Sequence, residues 1–263
     1  MKFCSFASGS AGNCYYIASG NSAILIDAGI SARAIRNSLK SIDTGLDSIY
    51  GIFVTHDHFD HTYGLGLLGE RYNVPVYSTA EVLAGYNRCV RQSIKLSSCR
   101  RYVQKGVSVA VGDFSITPFH LDHDASDCVG YYIEAGGSSL AVATDLGFIN
   151  DDAAHYLLKA DNIVIEANYS EQMLMEGPYP VYLKQRILSS NGHLANHVTA
   201  KFLASHADRH WNNVFFCHLS NNNNTPDKVI EEIHAAFDLK GVRENLPVLH
   251  TLPRRTMTGI FEF

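Results

Sequence analysis

The chain has 263 residues, 46% hydrophobic and 18% charged, with a formal net charge of −5. That balance suits a globular protein with a sizeable core, one large domain over 1–263 or two small ones, and argues against a protein that coats nucleic acid by bulk electrostatics. No run approaches the roughly eighteen continuous apolar residues of a membrane helix, and Met1–Ala7 is too short an apolar start for a signal peptide, so the expected location is the cytoplasm.

In chain order, strand-like runs at about 2–7, 14–19 and 22–27 are joined by tight turns, which suggests antiparallel hairpins. A helix follows at about 31–40, where Ala32, Ile35 and Leu39 oppose Arg33, Arg36 and Lys40 as in an ordinary amphipathic surface element. A strand at about 49–54 leads to a helical pattern at 62–72, a strand at 74–78 and a helix at 79–90. From Arg88 to Lys105 there are six basic residues (Arg88, Arg91, Lys95, Arg100, Arg101, Lys105) and no carboxylate, beside Tyr86 and Tyr102. That segment reads either as a contact for a phosphate backbone or as a solvated insertion. Strands at about 107–111, 114–119, 128–134 and 138–144 precede a helix at 150–159, a strand at 161–166, helices at 180–190 and 196–207, and a strand at 213–218. The clearest helix is the last, at about 226–238. Thr225 caps it, Pro226 takes its first position, and Val229, Ile230, Ile233, Ala236 and Phe237 make one apolar face. The six cysteines include no C-x-x-C pair and read as buried free thiols.

Residues 54–61, Val-Thr-His-Asp-His-Phe-Asp-His, carry the chemistry. The run before them is apolar and β-branched, so it reads as a buried strand, and alternate residues of an extended chain point the same way. His56 and His58 can therefore share one metal, and a turn into helix would aim Asp60 and His61 at a second. Imidazole and carboxylate without thiolate admit zinc, manganese or iron. The alternative is a histidine-rich polar loop.

H-x-H-x-D-H at 56–61, with the strand Ala23–Gly29 ending in Asp27, resembles the metallo-β-lactamase superfamily. The resemblance implies a four-layer αββα sandwich, an α/β (α+β) fold, with two divalent metal ions, zinc foremost. It makes Asp27 a structural residue that hydrogen-bonds the metal loop. It also requires three further ligands. For the third histidine there are two candidates, His120 and His123. His123 is preferred because His123–Tyr131 is similar to the His…Phe-Gly-Tyr pattern of the RNase Z-like phosphodiesterase branch. Asp145, after an apolar strand, would bridge the metals, although alone it would read as a turn or cap residue. His218 would be the last ligand. The first metal then takes His56, His58 and His123, and the second Asp60, His61 and His218. Asp60 is counted among the catalytic residues as well. His193 is the candidate general acid, with Glu166 orienting it; otherwise it is a loop histidine ahead of a helix.

Ser8–Asn13, Glu166–Asn168, Gly192–Asn196 and His218–Pro226 narrow the resemblance to the YycJ/WalJ-type hydrolases. Ala11, Ala195 and Asn221 depart from that pattern without touching a proposed ligand. The family implies a metal-bridging hydroxide as nucleophile and 5′-to-3′ exonuclease activity, with DNA as the partner, no membrane and no obligate protein partner. No large β-CASP cap is inserted. Gly9, Gly12 and Asn13 form either a backbone nest for a terminal phosphate or a simple hairpin turn. Ser10, Asn13, Ser220 and Asn222 are the candidate substrate contacts. Rival readings are a small-molecule phosphodiesterase or a lactone or thioester hydrolase of the same fold, a metal-loaded regulatory scaffold, and a diiron redox protein lacking a flavin segment.

Overall fold

The computed structural model describes residues 1–209 and 211–263. The strands form two seven-stranded sheets, and the chain divides into two compact units. One comprises 1–119, 125–139 and 253–263; the other comprises 120–124 and 140–252.

The first unit opens with β1 (Lys2–Ala7), β2 (Cys14–Ser19) and β3 (Ser22–Ile26), an antiparallel meander as expected from the spacing of the turns. Ser19 pairs with Ser22 across a two-residue loop whose Gly20 takes φ +54°, a conformation that suits glycine. In α1 (Ala32–Ser41) the Ser31 hydroxyl accepts the Ala34 N–H, and Ala32, Ile35 and Leu39 are buried. A 3₁₀ turn at Leu46–Ser48 leads into β4 (Ile49–Phe53), which joins β3 in parallel.

The helix expected over 62–72 forms over 65–72 with a π-helical turn at Leu67–Arg71, and a separate single turn, α2 (Phe59–Thr62), precedes it. The interruption falls at 63–64, and glycines here let other backbone pack close. A Cβ on Gly64 would lie 2.5 Å from the Ile30 carbonyl oxygen, and one on Gly66 would lie 2.5 Å from that of Ile94. Backbone therefore approaches this segment too closely for side chains, and each glycine also weakens a regular helix by roughly 1 kcal/mol. Next come β5 (Val76–Ser78), α3 (Ala80–Arg88), β6 (Arg100–Tyr102), β7 (Val109–Val111), β8 (Phe114–His120) and β9 (Val129–Ala135). Leu25, Ile35, Leu39, Ile52, Leu68 and Val76 belong to this unit's core; each such side chain contributes about 1.5–3 kcal/mol.

In the second unit, β10 (Ser138–Ala143), β11 (Asn162–Glu166), β12 (Asn213–Cys217) and β13 (Val248–Thr251) pair in parallel. Helices fill the crossovers: α4 (Asp151–Lys159), α5 (Glu171–Glu176), α6 (Val181–Leu188), α7 (Asn196–Ser205) and α8 (Pro226–Leu239). Thr225 caps α8 through the Lys228 N–H, and Val229, Ile233 and Phe237 are buried. Ile230 and Ala236, expected on the same face, are only half-buried. The last strand, β14 (Phe261–Glu262), belongs to the first unit and pairs antiparallel with β1. The sheet orders are β14-β1-β2-β3-β4-β5-β6 and β13-β12-β11-β10-β9-β8-β7. Among the described residues, no helix is long and apolar enough to cross a membrane.

Candidate metal centre

In the first unit, β4 runs into an extended stretch that ends at His58, the residue preceding α2. His56 is fully buried, with its ring centroid 4.6 Å from that of His58 and 4.0 Å from that of His61. Asp27, the residue after β3, orders this loop. Its Oδ1 accepts the Thr55 N–H at 2.8 Å, and its Oδ2 accepts the Thr55 hydroxyl at 2.9 Å and His61 Nδ1 at 2.7 Å. These bonds fix the tautomers. His61 donates from Nδ1 to a carboxylate, so its Nε2 keeps the lone pair. The Thr55 proton is used on Asp27, so His56 Nδ1, 3.0 Å away, donates to the Thr55 oxygen and leaves its own Nε2 as a ligand atom. Burial raises the Asp27 pKa, and the bonds from His61 and Thr55 only partly oppose it.

Gly29 lets this arrangement close. A Cβ there would lie 1.7 Å from the Asp60 carbonyl oxygen. The chain after β3 instead hydrogen-bonds the donor loop, Ala28 N–H to the His61 carbonyl at 2.9 Å, while Asn13 N–H meets the Asp60 carbonyl at 2.8 Å. Sequence reasoning singled out Asp27 but not Gly29 or Thr55, although all three lie in quoted motifs.

In the second unit, Asp145, Glu166, His193 and His218 each offer a ligand atom within 4.8 Å of the others. Asp145 lies two residues beyond β10 and His218 directly follows β12, and both take φ +52°. Non-glycine residues avoid that region unless the surroundings impose it. Glu166 ends β11 and is fully buried. Its Oε1 accepts His193 Nδ1 at 2.8 Å, His218 Nδ1 at 3.0 Å and Asn168 Nδ2 at 3.2 Å, and its Oε2 accepts the Leu146 and Leu194 N–H groups at 3.0 Å. Burial would raise the Glu166 pKa, but His193 and these bonds outweigh it and the net direction is down. Burial would lower that of His193, yet Glu166 and Asp145 carry it up to about 9.

His123 and His120 are clearly separated. His123 has a side chain only 2% exposed, with Nδ1 2.8 Å from the Gly192 carbonyl and its ring 5.1 Å from that of His193. His120 is 44% exposed and turns to Asp122. A Cβ on Gly147 would lie 2.0 Å from the Ser190 carbonyl, so the Asp145 turn packs directly on the loop that carries His193.

Comparison with known proteins supports the same reading. The beta-lactamase superfamily domain matches residues 22–214. The chain belongs to this superfamily. It is 30% identical over 242 residues to exodeoxyribonuclease YycJ of Bacillus anthracis, covering 92% of this chain and 90% of the relative. It is 31% identical over 224 residues to exodeoxyribonuclease WalJ of Streptococcus pneumoniae, covering 85% and 83%. The metallo-β-lactamase fold protein YhfI from Bacillus subtilis matches over the whole of both chains with a TM-score of 0.73 at 15% identity, which shows the fold. The chain is therefore a hydrolase of the metallo-β-lactamase fold, in the mixed α/β class expected, and that fold implies divalent metal ions.

The donors fit such ions. They are imidazole nitrogens with assigned lone pairs and carboxylates at buried strand ends, a set that suits zinc, manganese or iron. Cys217, beside His218, stays a thiol because burial and then Glu166 raise its pKa.

The four candidate substrate contacts divide. Ser10 and Asn222 are exposed, Asn222 donating to the Tyr179 hydroxyl. Asn13 is fully buried and braces the donor loop. Its Oδ1 accepts the Gly9 N–H at 2.8 Å, and its Nδ2 lies 2.9 Å from His61 Nε2. Ser220 is buried with its hydroxyl accepting the Asn223 N–H. Two residues that sequence reasoning left without a role hold the second unit's site. Asn168 donates to the His218 carbonyl at 2.7 Å, and Thr199 donates to that of Glu166 at 2.7 Å.

Proposed function

We propose that this protein is a 5′-to-3′ DNA exonuclease whose seven donors together hold two divalent metal ions. His56, His58 and His123 serve one ion, Asp60, His61 and His218 the other, and Asp145 both. Zinc is the proposed metal, with manganese or iron the alternatives. The observation that carries this reading is the completeness of the donor set, with imidazoles in both units oriented by a buried carboxylate, Asp27 or Glu166. The exodeoxyribonuclease names of relatives aligned over most of the chain favour DNA. Six free cysteines suit a reducing compartment, and the proposed location is the cytoplasm.

Bound ions would supply an activated water at neutral pH and offset charge developing on the phosphoryl oxygens. The residues do the rest. Asp27 and Thr55 hold His56 and His61 in the tautomers that keep the lone pair on Nε2, which in His61 faces the Asn13 amide. Glu166 fixes His193 through Nδ1, which leaves Nε2 as the end that can protonate the leaving oxygen. Asp145 lies 3.3 Å from the same Nδ1 and adds to the negative field around that proton.

The test is degradation of end-labelled and circular DNA and RNA by chelated protein resupplied with Zn²⁺ or Mn²⁺, beside Asp60→Ala. Metal-dependent shortening of DNA from its 5′ end, lost in the variant, is the expected result. A protein carrying two metals that cleaves no polymer but turns over a small phosphodiester or lactone would overturn it.

A further inference from the structure

The basic segment after α3 is pinned to the donor loop rather than free in solvent. Gln92 is buried and donates through Nε2 to Thr62, at 2.9 Å to its hydroxyl and 3.3 Å to its carbonyl. Thr62 in turn donates to the His58 carbonyl at 2.8 Å. The Tyr86 hydroxyl anchors the far side of the segment by donating to the Ile94 carbonyl at 2.8 Å. Held between these points, Arg91 lays its guanidinium 3.9 Å from the centroid of the Phe59 ring. Phe59, half-buried between two proposed ligands, has its ring 5.0 Å from that of Tyr63, which is 52% exposed. Beside Tyr63 opens a cavity of about 280 Å³ lined by Ser31, Arg33, Gln92 and Ser93. That is just under the roughly 300 Å³ at which small-ligand sites begin, and it has room for one base or sugar-phosphate. Arg33 and Arg91 are both exposed.

We propose that Phe59, Tyr63, Arg91 and Arg33 form a track that takes single-stranded DNA to the donor loop, with Tyr63 stacking a base and the arginines pairing with successive phosphates. An exposed ring next to cations recognises unpaired bases, because in a duplex the base faces are already covered by their neighbours. The net charge of −5 leaves this local cluster, and not the surface as a whole, to attract the polyanion. The inference rests on the nuclease reading.

The test is fluorescence anisotropy of a labelled single-stranded DNA oligonucleotide on the full chain with its metal chelated. Tyr63→Ala is expected to weaken binding roughly 5- to 100-fold, with Tyr63→Phe restoring it. Arg91→Ala is expected to lower the slope of log affinity against log salt by about 0.7. Tyr182→Ala, an exposed aromatic on α6, should bind as wild type. Wild-type affinity in both Tyr63→Ala and Arg91→Ala, from a protein that degrades DNA when metal is restored, overturns the track and leaves the nuclease reading standing. A loss in Tyr182→Ala equal to that in Tyr63→Ala overturns it too, as does tighter binding to duplex or to RNA. A protein that neither binds nor degrades DNA overturns both readings.

Discussion

Asp27 in the first unit and Glu166 in the second solve one problem with different numbers of bonds. Both are fully buried carboxylates at or just beyond the end of a strand, and both turn imidazoles so that one nitrogen remains for a ligand. Asp27 accepts three bonds, two from Thr55 and one from His61. Glu166 accepts five, from His193, His218, Asn168, Leu146 and Leu194. Burial disfavours the charge in both. Around Asp27 burial prevails over the His61 charge and three bonds, and the pKa rises; around Glu166 the His193 charge and five bonds prevail over burial, and the pKa falls. The number and charge of the donors, not depth alone, decide the sign.

The comparison breaks most readily at Glu166. Glu166→Ala strands five donors in a dry interior, a loss expected to cost about 3–5 kcal/mol. Urea unfolding of chelated protein, so that metal binding does not mask the effect, measures it. Asp27→Ala should cost less because it strands fewer donors. An equal or larger loss at Asp27 would show that bond number does not rank the two carboxylates.

His193 separates orientation from ligation within the Glu166 cluster. His193→Ala is expected to lower kcat by about 10²–10⁴-fold while bound metal, measured by elemental analysis, stays at the wild-type level. His120→Ala should change neither, since that ring is turned to Asp122. Metal lost in parallel with activity in His193→Ala would make it a ligand and remove the general-acid role.

For Asp27 the sharper test is affinity. Asp27→Asn keeps the shape but places an amide beside Thr55 and His61, and metal affinity should fall about 10- to 100-fold. Competition with a chromophoric chelator reads this directly.

Much of this arrangement was legible from residue order. The octet announced strand, turn and helix, and the strands ending before Asp27, Asp145 and His218 lie within a residue or two of their expected positions. Glu166 was visible as a partner for His193 but not as the acceptor of two backbone N–H groups, because those come from loops distant in the chain. Asn13 looked like a phosphate contact, yet its amide braces the donor loop; a polar residue in a glycine-rich turn looks the same in sequence whether it faces water or backbone. β6, β13, β14 and α5 were missed because two to six residues carry too little periodicity, and their pairing partners are set by tertiary contacts. The helix expected at 62–72 forms over 65–72, but its π-helical turn and the interruption at 63–64, where Gly64 packs on Ile30, rest on contacts no local pattern records.

Glu70 extends the comparison to the surface, where the same bonding should matter least. Its Oε1 accepts the N–H groups of Ser97 and Ser98 at 2.5 and 3.0 Å, and its Oε2 accepts the Ser98 hydroxyl at 3.0 Å. The Ser97 N–H and then the Cys99 thiol do most to bring its pKa from 4.5 down to about 2. A carboxylate whose folded pKa is depressed adds stability that is fully present above its unfolded value and is lost as the pH falls through the folded one. The stability gap between wild type and Glu70→Gln should therefore be constant above about pH 4.5 and close by about pH 2. Solvent screens this group, so the gap should be small beside that of Glu166→Ala. Unfolding curves of chelated protein at a series of pH values measure it. A gap that persists unchanged to pH 2 would mean that Glu70 gathers the 97–99 loop by shape and not by charge, and that the bonding rule drawn from Asp27 and Glu166 belongs to the interior alone.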